Sequence, residues 1–201
     1  MNASEITALA MSHGAAQKAP ELEQLVKLLL KRQPRTVLEI GTMDGGTLSA
    51  WCQCATVDAT VISVDLPGGE WGGGYGGDRA EHIRGFATGR QNLVLIQGDS
   101  HAPDIRDRVL WELDGRNIDF LFIDGDHSLA GVSNDFADYS TLVRQGGMIA
   151  LHDIVDHTQE RTVQVAPLWA NLKTRFRHVE ITVAGHERSW GPWGGIGVIW
   201  L

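Results

Sequence analysis

The chain has 201 residues, 43% hydrophobic and 21% charged, enough for one domain with a sizeable core. Seventeen Lys+Arg against 25 Asp+Glu give a formal charge of −8, and no basic run stands out, so a surface that tracks phosphates is not expected and nucleic acid is excluded as a partner. No stretch approaches about 18 uninterrupted apolar residues and the N-terminus lacks a basic flank, so neither a membrane span nor a signal peptide is expected, and the default location is cytoplasmic.

The chain opens with a helix expected over Ala3 to Ser12, whose sparse apolar positions do not say what it packs on. Pro20 then begins PELEQLVKLLLKRQ, with Glu21 and Glu23 at the positive end of a helix and Lys31 and Arg32 at the other. Leu22, Leu25, Val26 and Leu29 share one face, so this helix covers a sheet. Pro34 stops it.

The stretch Thr36 to Leu48, TVLEIGTMDGGTL, reads as a buried parallel strand closing at Glu39, then a glycine turn, then a helix through about Ala55. Gly41, Gly45 and Gly46 leave no Cβ in the way of a ligand lying against the helix start. The second glycine of a dinucleotide GxGxxG fingerprint is replaced by Met43, so the turn suits a nucleoside without a diphosphate. Cys52 and Cys54, two apart on the following helix, do not share a face and read as buried thiols.

The second strand, Thr60 to Leu66, delivers Asp65, where a carboxylate faces the ribose of a cofactor in sheets of this kind. Pro67 to Gly77, PGGEWGGGYGG, is too glycine-rich for a regular element yet carries Trp71 and Tyr75. It is either a flap that closes its aromatics over ligand or a surface loop that tucks them into the protein's own side. Asp78 caps a helix reaching Gly85 to Arg90, and the third strand, Asn92 to Gly98, ends in Asp99, Ser100 and His101. Asp99 and Ser100 either recognise an adenine edge or cap the helix near Pro103, and His101 is structural or loop-exposed.

The fourth strand, in IDFLFIDGD, is the sheet's centre and releases Asp124, Asp126 and His127 at its C-terminal end, where open α/β sheets bind ligands. A helix from Ser128 to Arg144 ends at the Gly146–Gly147 pair. The fifth strand, Met148 to Leu151, delivers His152 and Asp153. Strand ends about 4.8 Å apart put Asp124, His152 and Asp153 within reach of one divalent ion; the alternative is that His152 or Asp153 caps the next helix. That helix is expected from Gln159 to Arg175, and the strands Val179 to Val183 and Gly195 to Leu201 follow as an antiparallel pair. The expected architecture is a three-layer α/β fold, a seven-stranded, mostly parallel sheet with a C-terminal antiparallel strand, in a single domain with N-terminal helices over 1–34 and a core over 35–201.

The EIGTMDGGT turn, VDLPGG with its glycine-rich sequel, GDSH, FIDGDHS, the GG pair and LHD resemble class I S-adenosylmethionine-dependent methyltransferases. Within them the chain is similar to the small group of cephalosporin hydroxylase-like and macrolide sugar O-methyltransferases, over roughly residues 35 to 201. The resemblance implies that Glu39 with the turn at Gly41, Thr42 and Gly45 holds the methionine end, Asp65 the ribose, and Asp99 with Ser100 the adenine, with Asp124 beside the cofactor. In metal-dependent relatives an acid ends strand four and an acidic pair follows strand five. Here those places match Asp124, His152 and Asp153, and the histidine in place of an acid makes Mn²⁺ or Fe²⁺ more suitable than Mg²⁺.

Methyl transfer from a sulfonium needs an aligned acceptor, exclusion of water, and removal of a proton from oxygen. Asp124 and His127 are the expected catalytic pair, His127 taking the proton because an imidazole is poised near working pH; the alternative is that His127 bonds a carbonyl in its turn. The expected reaction is O-methylation of a small molecule, with a homo-oligomer left open. Two other readings stay open: a nicotinamide-dependent oxidoreductase, and a non-catalytic module. No motif assigns His157 or His186.

Overall fold

The computed structural model describes residues 1–69, 72–157, 161–184 and 191–201. Trp71, His186 and the expected helix start at Gln159 lie outside them. In chain order the elements are α1 (Ala3–Ser12), α2 (Ala19–Arg32), β1 (Thr36–Ile40), α3 (Gly46–Cys54), β2 (Thr60–Asp65), α4 (Arg79–Arg84), β3 (Asn92–Gln97), α5 (Pro103–Leu113), β4 (Ile118–Ile123), α6 (Leu129–Ser140), β5 (Val143–His152), α7 (Val165–Leu172), β6 (Arg177–Ile181) and β7 (Ile196–Trp200).

The strands form one sheet in the order β3-β2-β1-β4-β5-β7-β6, with β4 at the centre. β1 to β5 pair in parallel, while β7 runs antiparallel to both β5 and β6. Helices cover both faces, as the continuous apolar strands require. On one face α1, α2 and α3 bury Ile6, Leu22, Leu25, Leu29 and Trp51 against Val37, Val61, Phe120 and Phe122; on the other, α5, α6 and α7 bury Val109, Tyr139 and Trp169 against Leu38, Ile62, Leu121 and Ile149. Among the described residues no helix is long and apolar enough to cross a membrane.

The N-terminal helix acquires a purpose that its own sequence hides. Asn2 and Glu5 close a capping box at its start, and Ile6 and Ala10 are buried where it packs on α2 and α3. Several boundaries differ from the sequence expectation. α6 stops at Ser140 rather than Arg144, because β5 begins at Val143 and the Gly146–Gly147 pair lies inside that strand, with Gly146 at φ +73°. The pair marks an irregularity in the β4–β5 ladder, whose register shifts between Ile118 and Phe120, and not a helix end. α4 ends at Arg84, and Asp78 holds its N-cap position without a side-chain cap bond. α7 is shorter than expected because residues 173–175 form turns instead of continuing the helix.

Two buried carboxylates tie the layers together. Glu21, 0% exposed, accepts the Val183 N–H at 2.9 Å and the Gly195 N–H at 2.8 Å, joining α2 to the loop between β6 and β7. Glu39, also 0% exposed, ends up beneath α3, accepting Trp51 Nε1–H at 2.7 Å and the Thr42 hydroxyl at 2.9 Å. Burial pushes its pKa up to about 8, although hydrogen bonds from Thr47, Trp51 and Thr42 work against the rise. Cys52 and Cys54 are buried as expected, and burial pushes each thiol up to about 12.

Replacing Glu21 with Ala strands two buried N–H groups, and we expect a loss of roughly 3 kcal/mol in urea unfolding, with Glu21→Gln milder because its carbonyl still accepts one of them. Glu39 gives a pH dependence of known sign. Its folded pKa lies above the unfolded one, so the stability it contributes is complete below about pH 4.5 and is lost as pH rises towards about 8, with a limiting slope on the order of 1 kcal/mol per pH unit. Glu39→Gln should therefore gain stability relative to the parent between pH 5 and 8 in paired unfolding curves.

Candidate active site

The site is assembled by strand register. Ile40 pairs with Ile123 and Ile123 with Leu151, so the next residues, Gly41, Asp124 and His152, emerge side by side at the C-terminal edge of the sheet. The Asp124 N–H donates to the Ile40 carbonyl at 2.8 Å and the Gly41 N–H to the Val64 carbonyl at 2.9 Å, pinning the first turn between β2 and β4.

The glycines of that turn have a different purpose from the one their spacing suggests. Gly41 (φ +84°) faces the Asp124 carbonyl so closely that a Cβ would collide with it, Gly45 (φ +88°) faces Phe86 and Ile83, and Gly46 faces the backbone of Ala10 and Ala15. Their missing Cβ atoms admit the protein's own chain. The loop between α1 and α2 thus covers the start of α3.

From that loop Gln17, 4% exposed, donates through Nε2 to Asp124 Oδ2 at 2.6 Å. Asp124 Oδ1 lies 3.2 Å from His127 Nε2 and 3.1 Å from His152 Nδ1. Asp153 Oδ2 lies 3.5 Å from His127 Nδ1 and 3.4 Å from His152 Nδ1, while its Oδ1 accepts the Gly194 N–H at 3.0 Å and sits 3.1 Å from His157 Nε2. Two carboxylates and three imidazoles therefore share one mostly buried cluster. Asp153 occupies left-handed backbone (φ +58°), an uncommon conformation for a residue with a side chain, held by the Gly194 bond and by Ile154 and Val155 donating to the Gly195 and Gly194 carbonyls.

Burial opposes a charge on His152, but the Asp153 and Asp124 carboxylates outweigh it and hold its pKa well above the ordinary histidine value. Burial equally opposes ionisation of Asp153, yet the neighbouring His152 holds it well below the usual carboxylate range; Asp124 is lowered against burial by His152 and His127. His127 is raised against its burial by Asp124 first, then Asp153. One ligand atom from each of Asp124, His152 and Asp153 lies within 4.8 Å of the others, the spacing of a divalent-ion site. Neither His152 nor Asp153 caps a helix, since α7 starts only at Val165, and His127 Nε2 bonds Asp124 rather than a turn carbonyl, its Nδ1 facing Asp153 at 3.5 Å.

Asp65 closes β2 beside the glycine turn, 6% exposed; its Oδ1 accepts the Thr42 N–H at 2.9 Å. Glu39 is committed to Trp51 and Thr42. Asp99 is exposed and accepts the His101 N–H at 2.9 Å, while Ser100 donates to the buried Asp135 at 2.6 Å, so neither caps α5, whose N-cap is Ala102. His101 joins the same network 3.2 Å from Asp135, which raises its pKa to about 9. Gln17 and His157 were not indicated by any motif. They reach the acids from loops distant in sequence, and only the fold brings them there.

The methyltransferase domain family matches residues 38–154. Among curated proteins the chain is 31% identical over 125 residues to the uncharacterized protein R132 of Acanthamoeba polyphaga mimivirus, covering 61% of this chain and 52% of that protein. It is 30% identical over 122 residues to ribosomal RNA large subunit methyltransferase E of Methanothermobacter thermautotrophicus, covering 59% and 47%. The match thus spans about half the length of each relative. Among solved structures, the O-methyltransferase TomG from Streptomyces achromogenes in complex with SAM superposes with a TM-score of 0.68 at 20% identity, covering 100% of this chain and 90% of that one. The O-methyltransferase from Bacillus cereus in complex with SAH does so with a TM-score of 0.64 at 17% identity, covering 99% and 90%. These likenesses share the fold, and with the family match over more than half its length the chain belongs to the methyltransferase domain family.

Proposed function

We propose that this protein transfers the methyl group of S-adenosylmethionine to a hydroxyl oxygen of a small molecule, with a divalent ion held by Asp124, His152 and Asp153. The observation that carries this reading is the adjacency of Gly41 and Asp124: the turn that leaves β1, over which a nucleoside would lie, touches the strand end that bears the acids. The solved neighbours, O-methyltransferases in complex with SAM or SAH, support both the cofactor and the oxygen acceptor in this reading.

The residues present fit both groups. One imidazole nitrogen and two carboxylate oxygens within 4.8 Å suit Mn²⁺ or Fe²⁺ better than Mg²⁺, which prefers oxygen ligands and retained water. Asp65 ends β2 beside the Thr42 N–H, where it would accept hydrogen bonds from a ribose, and the turn at Gly41 and Thr42 would lie against the methionine end, with Glu39 buried behind it and Gly45 packed on Phe86 and Ile83. Asp99 and Ser100, just past the end of β3, would stand on the adenine side in this reading. The cofactor supplies an electrophilic methyl, and the ion would lower the pKa of a hydroxyl beside it. In this reading His127, 3.2 Å from Asp124, would accept the proton when its imidazole is neutral, and the Asp124 carboxylate would stabilise the imidazolium it becomes. Gln17 fixes the second oxygen of Asp124 and closes that side to water.

The charge of −8 disfavours an RNA acceptor such as the one named for the archaeal relative, so the partner in this reading is a small molecule, in the cytoplasm and away from membranes. Met43 at the pyrophosphate position, with φ +51°, disfavours a nicotinamide dinucleotide.

In a methyl-transfer assay on a polyol and catechol panel, activity should require added metal and fall with EDTA. Asp124→Ala and Asp153→Ala should each lose at least about 100-fold in turnover, the scale of a lost metal contribution, while the seven tryptophans still report S-adenosylhomocysteine binding. Full turnover in both variants would refute the metal, and NADH binding with no response to S-adenosylhomocysteine would refute the methyltransferase activity.

A further inference from the structure

The carboxylate assigned above to a ribose already has partners. Besides the Thr42 N–H, Asp65 Oδ1 faces the Met43 N–H at 3.4 Å, and Oδ2 accepts the N–H of Gly74. Gly73 (φ +105°) and Gly74 (φ +82°) pass so close over the end of β2 that a Cβ on Gly73 would stand 2.9 Å from Asp65 Oδ2, and one on Gly74 2.8 Å from Pro67 Cα. Only glycine admits this path.

Tyr75 follows and turns inward. It is 9% exposed, its hydroxyl lies 2.6 Å from Ser63 Oγ and 3.4 Å from Thr42 Oγ1, and its N–H donates to Gln97 Oε1 at 2.9 Å. Arg79, at the start of α4, reaches back with Nη1 3.4 Å from the Gly74 carbonyl and Nη2 3.2 Å from Asp44 of the glycine turn. Ser63, Thr42 and Asp65 are buried polar groups that need hydrogen-bond partners whether or not a ligand is bound. Residues 73–75 supply those partners from within the chain.

We propose that Gly73, Gly74 and Tyr75 form a latch that occupies the ribose position of the cofactor site, and that a nucleoside enters by exchanging its hydroxyls for the Gly74 N–H on Asp65 and releasing Tyr75. Arg79 is a positioning residue, holding the Gly74 carbonyl against the glycine turn. The inference rests on the reading of Asp65 as the ribose carboxylate. Its consequence is that apparent affinity is reduced by the fraction of molecules with the latch closed, and that opening limits the association rate at high ligand concentration.

The test is stopped-flow tryptophan fluorescence with S-adenosylhomocysteine on the full chain, together with urea unfolding of the ligand-free protein. Tyr75→Phe keeps the ring and removes the hydroxyl's bonds, so it should destabilise the free protein yet bind the ligand about fivefold more tightly, the worth of one ordinary hydrogen bond. Arg79→Gln, at a part-exposed position that leaves the core intact, should raise the limiting association rate about twofold. In the parent the observed rate should level off with ligand concentration. A structural role for Tyr75 predicts lower stability and weaker binding together. Unchanged or weakened binding in Tyr75→Phe with an unchanged rate in Arg79→Gln would overturn the latch while leaving the cofactor intact; no binding to the parent or either variant would overturn the cofactor reading itself, and the latch with it.

Discussion

The contact on which this structure depends is between two pieces of backbone: Gly41, leaving β1, and the carbonyl of Asp124, leaving β4, approach until no side chain fits between them. Parallel pairing of β1 with β4 forces the approach, and the positive φ of Gly41 permits it. Because the same register continues into β5, the turn, Asp124 and His152 arrive as one row. Any ligand on the first turn is thereby placed against the acid and histidine cluster without a further device.

That cluster is held by parts of the chain remote from it. Gln17 comes from the loop between α1 and α2, and Gly194 from the loop between β6 and β7. Glu21 links the same two regions, accepting from Val183 and Gly195 on one side while Lys18, next to Gln17, donates to the Val183 carbonyl at 3.3 Å. The N-terminal helices therefore act as a brace, fixing the strained Asp153 and the second oxygen of Asp124 through one buried network. Paired imidazoles and carboxylates are affordable in such a place only because each charge answers another.

Much of the fold was legible because parallel strands buried on both faces leave apolar runs that end in polar residues, as at Asp65, Asp124 and His152; Glu39, expected to close β1, lies inside it, and Ile40 ends the strand. The acids of the site were legible for the same reason, since they stand one step past each run. What misled was glycine. The Gly146–Gly147 pair reads as a helix stop but lies within β5, and Gly45 and Gly46 read as a ligand cradle but make room for Phe86, Ile83 and Ala15. A missing Cβ announces that something comes near, and the sequence does not say what. Gln17 and His157 were invisible because a lone residue in a loop acquires its role only from a tertiary contact. For Pro67 to Gly77 the structure shows the second alternative at Tyr75, whose ring tucks into the protein's own side, while Trp71 lies outside the described residues.

The central claim is a geometric one, that a nucleoside over β2 and a metal between β4 and β5 share one crevice. Anomalous diffraction from crystals soaked with Mn²⁺ and S-adenosylhomocysteine measures it directly. The account predicts a metal peak bounded by Asp124, His152 and Asp153 and ribose density on Asp65. Manganese bound elsewhere, with the nucleoside absent from Asp65, would contradict it.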